Sequence, residues 1–318
     1  MSKKSEAKSI GQRNTRTLLI GLFTLVVILA VVVTLFTLSN RNNQIPETAW
    51  SVDASDALSF SHRDLVSPHA NLIEDTPNYS LETISYTSYD TTVYGLLRIP
   101  KNVPNPPVVI VLPAATVTKE GDFVMAEALR SWGYASLTLD ERGNGGETLG
   151  RSPMDFMAGF DAFRNGDLPA QYAQIYDVLL GYDYIRSRKD LDGDNVAVLG
   201  ESMGGRFAVV AAGIEPGLKA AVVVSSGPYG LKAGNDTDAQ RFVDSVEPAT
   251  YLQKLPPRKL VMFHFTDDTI IPIAHARSLY DNAGEPKAWY QYNGSVHGVY
   301  SDMFAPDLHA EMITVFGR

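Results

Sequence analysis

The chain has 318 residues, 45% of them hydrophobic and 20% charged, so it is long enough to bury one large core and too apolar to stay unfolded. It contains no cysteine, which excludes a disulfide framework, a thiol nucleophile and thiolate metal sites. With a net charge of −9, the chain is not expected to seek nucleic acid.

In chain order, residues 1–17 form a basic tail, with Lys3, Lys4, Lys8, Arg13 and Arg16 against one acid, Glu6. Residues 18–38 carry no charge, and at 1.5 Å per residue such a helix spans about 32 Å, enough to cross a bilayer. The basic bias lies ahead of that segment, which predicts a cytoplasmic tail and an extracytoplasmic remainder. The apolar run exceeds the roughly 7–15 residues of a signal-peptide core, and Ser39-Asn40-Arg41-Asn42 offers no small-x-small cleavage site. An uncleaved, single-pass anchor in the cell membrane is therefore expected. Residues 39–80 are polar, contain Pro46, Pro68 and Pro77, and keep no sustained period, which reads as a linker and lead-in without chemistry.

From residue 81 to the C-terminus the pattern is that of one domain. Residues 81–88 and 92–99 read as an antiparallel pair around Tyr89-Asp90, and the unbroken apolar run 108–112 as a strand covered on both faces. Further strands are predicted at 135–139, 196–199, 220–224, 260–265 and 288–292, with helices at 123–132, 170–188, 206–212, 273–282 and 308–315. Eight strands alternating with helices in this way predict a mostly parallel sheet flanked by helices, with any site at the C-terminal ends of its strands. Residues 152–168 make a long connection carrying Met154, Phe156, Met157, Phe160 and Phe163, a candidate lid or a simple packing segment.

One short motif concentrates the chemistry. Gly200-Glu201-Ser202-Met203-Gly204 stands between the strand at 196–199 and a helix-forming run. The glycines permit a sharp turn and close backbone approach, which lifts the Ser202 hydroxyl clear of the fold. A serine hydroxyl is a weak nucleophile at neutral pH and needs an imidazole to take its proton, with a carboxylate to orient that imidazole. Asp268 follows the strand at 260–265, His297 follows the last strand, and the order Ser202, Asp268, His297 places each on a loop after a strand. Asp267 is the alternative carboxylate. Of the other histidines, His62 and His69 fall in the lead-in, His264 in a strand, and His275 and His309 on helices; only His309 is positioned as a substitute base.

These residues resemble the α/β-hydrolase superfamily over about residue 81 to the C-terminus. Residues 190–205, ending in Gly200-Glu201-Ser202-Met203-Gly204-Gly205, and Tyr94-Gly95-Leu96-Leu97-Arg98-Ile99-Pro100 are similar to its dienelactone hydrolase and prolyl oligopeptidase-like branch. The resemblance implies Ser202 as nucleophile, Asp268 as the acid and His297 as the base. It also implies an oxyanion hole built from the backbone amides of Met203 and, in the loop Pro113-Ala114-Ala115-Thr116, of Ala115. Asp140-Glu141-Arg142-Gly143-Asn144-Gly145 resembles a glycine-pinned loop of the same superfamily, with Arg142 either a substrate contact or one half of an internal ion pair.

The expected activity is hydrolysis of carboxylic esters of small or medium organic molecules through an acyl-enzyme, with no metal or organic cofactor. A prolyl oligopeptidase-like aminopeptidase, an acyltransferase and a non-catalytic tethered binding module are the alternatives. The predicted partners are a small-molecule ester or short peptide and the membrane, without nucleic acid.

Overall fold

Strands that are apolar at every position bury both faces, and here they assemble into the centre of a twisted sheet. The computed structural model describes residues 49–318; the predicted basic tail, membrane anchor and first part of the linker lie outside the described residues. A small antiparallel pair, β1 (Trp50–Val52) and β2 (Leu58–Phe60), comes first. The main sheet then takes β3 (Val66–Asp75), β4 (Tyr79–Ser88), β5 (Thr91–Pro100), β6 (Pro107–Leu112), β7 (Ala135–Leu139), β8 (Asp192–Glu201), β9 (Ala220–Val224), β10 (Lys259–Phe265) and β11 (Lys287–Tyr292). Their order across the sheet is β11-β10-β9-β8-β6-β7-β5-β4-β3. The first six of these pair in parallel, and β5, β4 and β3 add on antiparallel at one side.

The sheet thus has nine strands rather than the predicted eight. The extra strand, β3, lies within the segment read as linker and lead-in. Its residues Val66–Asp75 are exposed throughout, so the alternation that marks a half-buried strand has no reason to be written into them, and its pairing with β4 shifts register twice.

Helices α1 (Phe123–Ser131), α2 (Phe156–Asn165), α3 (Ala170–Ser187), α4 (Met203–Ile214), α5 (Thr237–Val246), α6 (Ile273–Asp281) and α7 (Ala305–Phe316) connect or follow the strands. On one face, Ile110 and Val198 pack with Ile175 and Leu179 of α3 and with Phe207 of α4. On the other, Val109, Leu199, Val222 and Phe263 pack with Leu129 of α1 and Leu308 of α7. Period-2 alternation along buried strands therefore feeds two separate cores. Each fully buried Val or Leu there contributes about 1.5–3 kcal/mol, and together they fix the register that aligns the C-terminal ends of β6 to β11.

Candidate active site

Ser202 sits between the last residue of β8 and the first of α4, at φ 50° and ψ −109°, a left-handed backbone that a residue with a Cβ adopts only under constraint. Its neighbours supply the constraint. The Ser202 amide donates to the Val224 carbonyl (2.8 Å), and the Ser226 hydroxyl donates to the Ser202 carbonyl (2.6 Å), so the end of β9 holds both sides of the turn. A Cβ on Gly200 would stand 2.2 Å from the Gly204 carbonyl oxygen, and one on Gly204 would stand 2.1 Å from that of Leu112. Glycine at these two positions lets α4 begin directly against the end of β6.

The three side chains chosen from the sequence meet here. His297 Nε2 lies 2.8 Å from Ser202 Oγ, and His297 Nδ1 lies 2.8 Å from Asp268 Oδ2. An ionised carboxylate only accepts, so Nδ1 carries the proton and donates to Asp268, which leaves Nε2 free to accept from the serine hydroxyl. The other oxygen of Asp268 accepts from the amides of Ile270 (2.9 Å) and Ile271 (3.0 Å), and the carboxylate is buried. Asp267 is exposed and its amide donates to the Gly294 carbonyl; the loop turns Asp268, and not its neighbour, toward the imidazole.

His264 is closer to this arrangement than its place inside a strand indicates. Its Nε2 donates to the Ile271 carbonyl (2.8 Å) and stands 3.6 Å from Asp268 Oδ2. Burial lowers its pKa, so it buttresses the acid loop as a neutral ring. His309 stacks on Trp132 at 4.8 Å and belongs to the packing of α7.

Met203 is the first residue of α4, so its amide is one of the four that a helix cannot satisfy internally. It faces the same end of the sheet as Ser202. In the loop after β6, Pro113 has no N–H, while the amides of Thr116 and Val117 are already donating, to Asn144 Oδ1 and the Ala114 carbonyl. That leaves Ala114 and Ala115 as the amides the turn does not use. A Cβ on Gly298 would touch both Ser202 Cβ (3.0 Å) and Ala114 Cβ (3.4 Å), so the histidine loop, the serine turn and this loop converge in van der Waals contact. Open helix-terminal and loop amides beside a serine–imidazole pair can stabilise an oxyanion as it forms.

Arg142 is turned inward. It donates to both Asp177 oxygens and to the Ser88 carbonyl, and it is buried; this is the internal ion pair of the two readings. The connection at 152–168 contains α2, whose Phe156, Phe160 and Phe163 pack around Phe242 of α5 while Met157 stays exposed.

Sequence reasoning missed a group of buried acids beside the site: Glu201 next to the serine, Glu141 after β7, and Asp122 ahead of α1. Burial raises all three carboxyls, Asp122 to about 6, and the nearness of Asp122 raises both glutamates further. Both oxygens of Glu141 lack a hydrogen-bond partner among the described residues. Nothing in sequence spacing brings residues 122, 141 and 201 together; only the adjacency of β6, β7 and β8 does.

A nine-stranded, mostly parallel sheet with a serine on the strand-to-helix turn, served by a histidine and an aspartate from later loops, defines an α/β-hydrolase. The chain's match to the Dienelactone hydrolase family spans residues 93–299, and the chain belongs to that family. It is 26% identical over 138 residues to the protein YfhR of Escherichia coli O157:H7, covering 42% of this chain and 49% of that one. The chain thus spans about half the length of the curated relatives it matches. Among solved structures it is similar to an acetyl xylan esterase from Paenibacillus sp. R4, with a TM-score of 0.65, 19% identity, and coverage of 80% of this chain and 90% of that one. It is also similar to acetyl xylan esterase 1 from Thermoanaerobacterium sp. JW/SL YS485, with a TM-score of 0.62, 16% identity, and coverage of 79% and 89%.

Proposed function

We propose that this chain is a serine hydrolase of carboxylic esters of small or medium organic molecules, held at the outer side of the cytoplasmic membrane by residues 18–38. One observation carries the chemical part: Ser202 Oγ, His297 and Asp268 stand in line, with 2.8 Å on each side of the imidazole. His297 Nε2 takes the Ser202 proton as Oγ attacks the ester carbonyl carbon. Asp268 holds the ring and offsets the positive charge it acquires. The amides of Met203 and Ala115 receive the oxyanion. Collapse breaks the bond to the alcohol, which leaves with the proton from His297. Water then enters, gives a proton to His297 and attacks the acyl-enzyme, and the acid departs with Ser202 restored.

The esterase names of the structural neighbours support esters over peptides, and acetylated xylan belongs on the substrate panel for that reason. The assay is initial rates on p-nitrophenyl acetate, butyrate and longer esters, beside dipeptidyl anilides. The proposal expects ester rates to exceed anilide rates by orders of magnitude. Preferential anilide cleavage would replace it with a peptidase, and transfer of the acyl group to an added alcohol in preference to water with an acyltransferase. For the anchor, the full chain should sediment with membranes and resist carbonate extraction, whereas a chain beginning at residue 39 should be released; solubility of the full chain without detergent would refute tethering.

A further inference from the structure

The loop that would supply Ala115 to the oxyanion is itself under strain, and one side chain from another loop holds it. Thr116 has φ 68°, a left-handed conformation that a β-branched residue rarely enters. Its amide donates to Asn144 Oδ1 at 2.6 Å. The Asn144 carboxamide nitrogen in turn donates to the carbonyls of Ala114 (3.1 Å) and Val117 (2.8 Å). One acceptor and both donors of a single amide are thus spent on three backbone groups of one turn, those of Ala114, Thr116 and Val117, and only one orientation of that amide satisfies all three. Ala115 is the residue enclosed between the clamped Ala114 carbonyl and the clamped Thr116 amide.

Asn144 stands on a rigid mount. Its own amide donates to the Glu141 carbonyl (3.2 Å), and the Gly143 amide donates to that of Thr148 (3.2 Å). The Arg142 amide donates to Gln174 Oε1 (2.8 Å), and the Arg142 side chain is fixed on Asp177 and Ser88. The clamp therefore ties the loop after β6 to the loop after β7, and through Arg142 to α3. Among the described residues, the hydrogen bonds of Asn144 all go to backbone of the oxyanion loop or its own turn, none to Ser202 or His297, so any effect on the reaction passes through the loop.

We propose that Asn144 is a positioning residue for the oxyanion hole: it aims the Ala115 amide at the oxygen that becomes negative during attack by Ser202. The inference rests on the serine-hydrolase reading above. It also gives the buried Arg142–Asp177 pair a consequence at the site, since that pair holds the mount from which Asn144 reaches.

The experiment uses the purified full-length chain with Asn144→Ala and Asn144→Asp, each normalised by active-site titration so that only folded sites count. The aspartate keeps the acceptor for Thr116 but offers no N–H to Ala114 or Val117 and repels both carbonyls. Two readouts are taken: kcat and KM on p-nitrophenyl acetate, and the inhibition constant of a trifluoromethyl ketone that forms a tetrahedral adduct. Because loss of a whole oxyanion donor costs on the order of 10²–10³ in kcat, misaiming one should lower kcat by roughly 10- to 100-fold in both variants. KM should stay within about threefold, since the ground-state carbonyl uses the hole little. The ketone should weaken by the same factor as kcat/KM, a proportionality that general loosening of the fold does not produce. Unimpaired kcat in both variants beside an active wild type overturns this inference alone, as does lost kcat with unchanged ketone affinity. A wild-type chain with no ester turnover overturns the hydrolase reading itself.

Discussion

Replacing Asp268 with asparagine changes one atom in the buried acid and reverses the hydrogen-bond direction at the histidine. The oxygen that accepts from the amides of Ile270 and Ile271 at 2.9 and 3.0 Å must remain an oxygen, because an NH₂ group there would face two donors. The new nitrogen consequently stands at 2.8 Å from His297 Nδ1 and donates to it. Imidazole then carries its proton on Nε2, pointing at Ser202 Oγ, and can no longer accept the serine proton. This wrong-tautomer effect costs on the order of 10⁴-fold in kcat, or about 5.5 kcal/mol of transition-state stabilisation at about 1.4 kcal/mol per tenfold. The fold should be spared, because two of the three hydrogen bonds persist, the third is only reversed in direction, and the shape is unchanged. The assay is kcat/KM on p-nitrophenyl acetate with thermal unfolding recorded alongside, and Asp267→Asn as the control, whose exposed side chain should leave activity within about threefold. Activity of Asp268→Asn within tenfold of wild type, with an unchanged melting temperature, would refute the assignment of the acid.

The remaining predictions concern the frame around the site. Gly204→Ala puts a methyl group 2.1 Å from the Leu112 carbonyl oxygen; overpacking of this kind costs about 1–3 kcal/mol or more, so a lowered denaturant midpoint together with lost activity is expected, and a stable, active variant would contradict it. Ser226→Ala removes the 2.6 Å hydrogen bond to the Ser202 carbonyl and should cost about 1 kcal/mol of stability, with kcat falling more than KM rises. Glu141 keeps its proton to a higher pH in the fold than in the unfolded chain because of burial and Asp122. Its contribution to stability is complete below about pH 4, the unfolded value, and is lost as pH rises through the raised folded one. Glu141→Gln, which cannot ionise, should therefore melt higher than wild type at pH 8 by a margin that shrinks toward pH 4, and a margin independent of pH would contradict that cause.

Much of the sheet was legible because buried strands are written as unbroken apolar runs, as in Val108-Val109-Ile110-Val111-Leu112, and the order of runs and helices implies parallel crossovers. The serine turn was legible because Gly200 and Gly204 are demanded by backbone distance, which leaves a signature in residue type. Three kinds of feature were not. An exposed edge strand such as β3 buries neither face, so no hydrophobic period marks it. Side chains that act on backbone, such as Asn144 on the Thr116 turn, are selected by geometry that arises only when the loops after β6 and β7 become neighbours. The same holds for Asp122, Glu141 and Glu201, each of which reads in isolation as an ordinary surface acid.

The central claim is that Ser202 is the nucleophile, and intact-mass and peptide mapping after reaction with a fluorophosphonate tests it most directly. The account predicts a single phosphonyl adduct on the peptide containing Ser202, formed in step with loss of esterase activity and absent from Ser202→Ala. Modification at another serine, or full labelling of the folded Ser202→Ala chain, would contradict it.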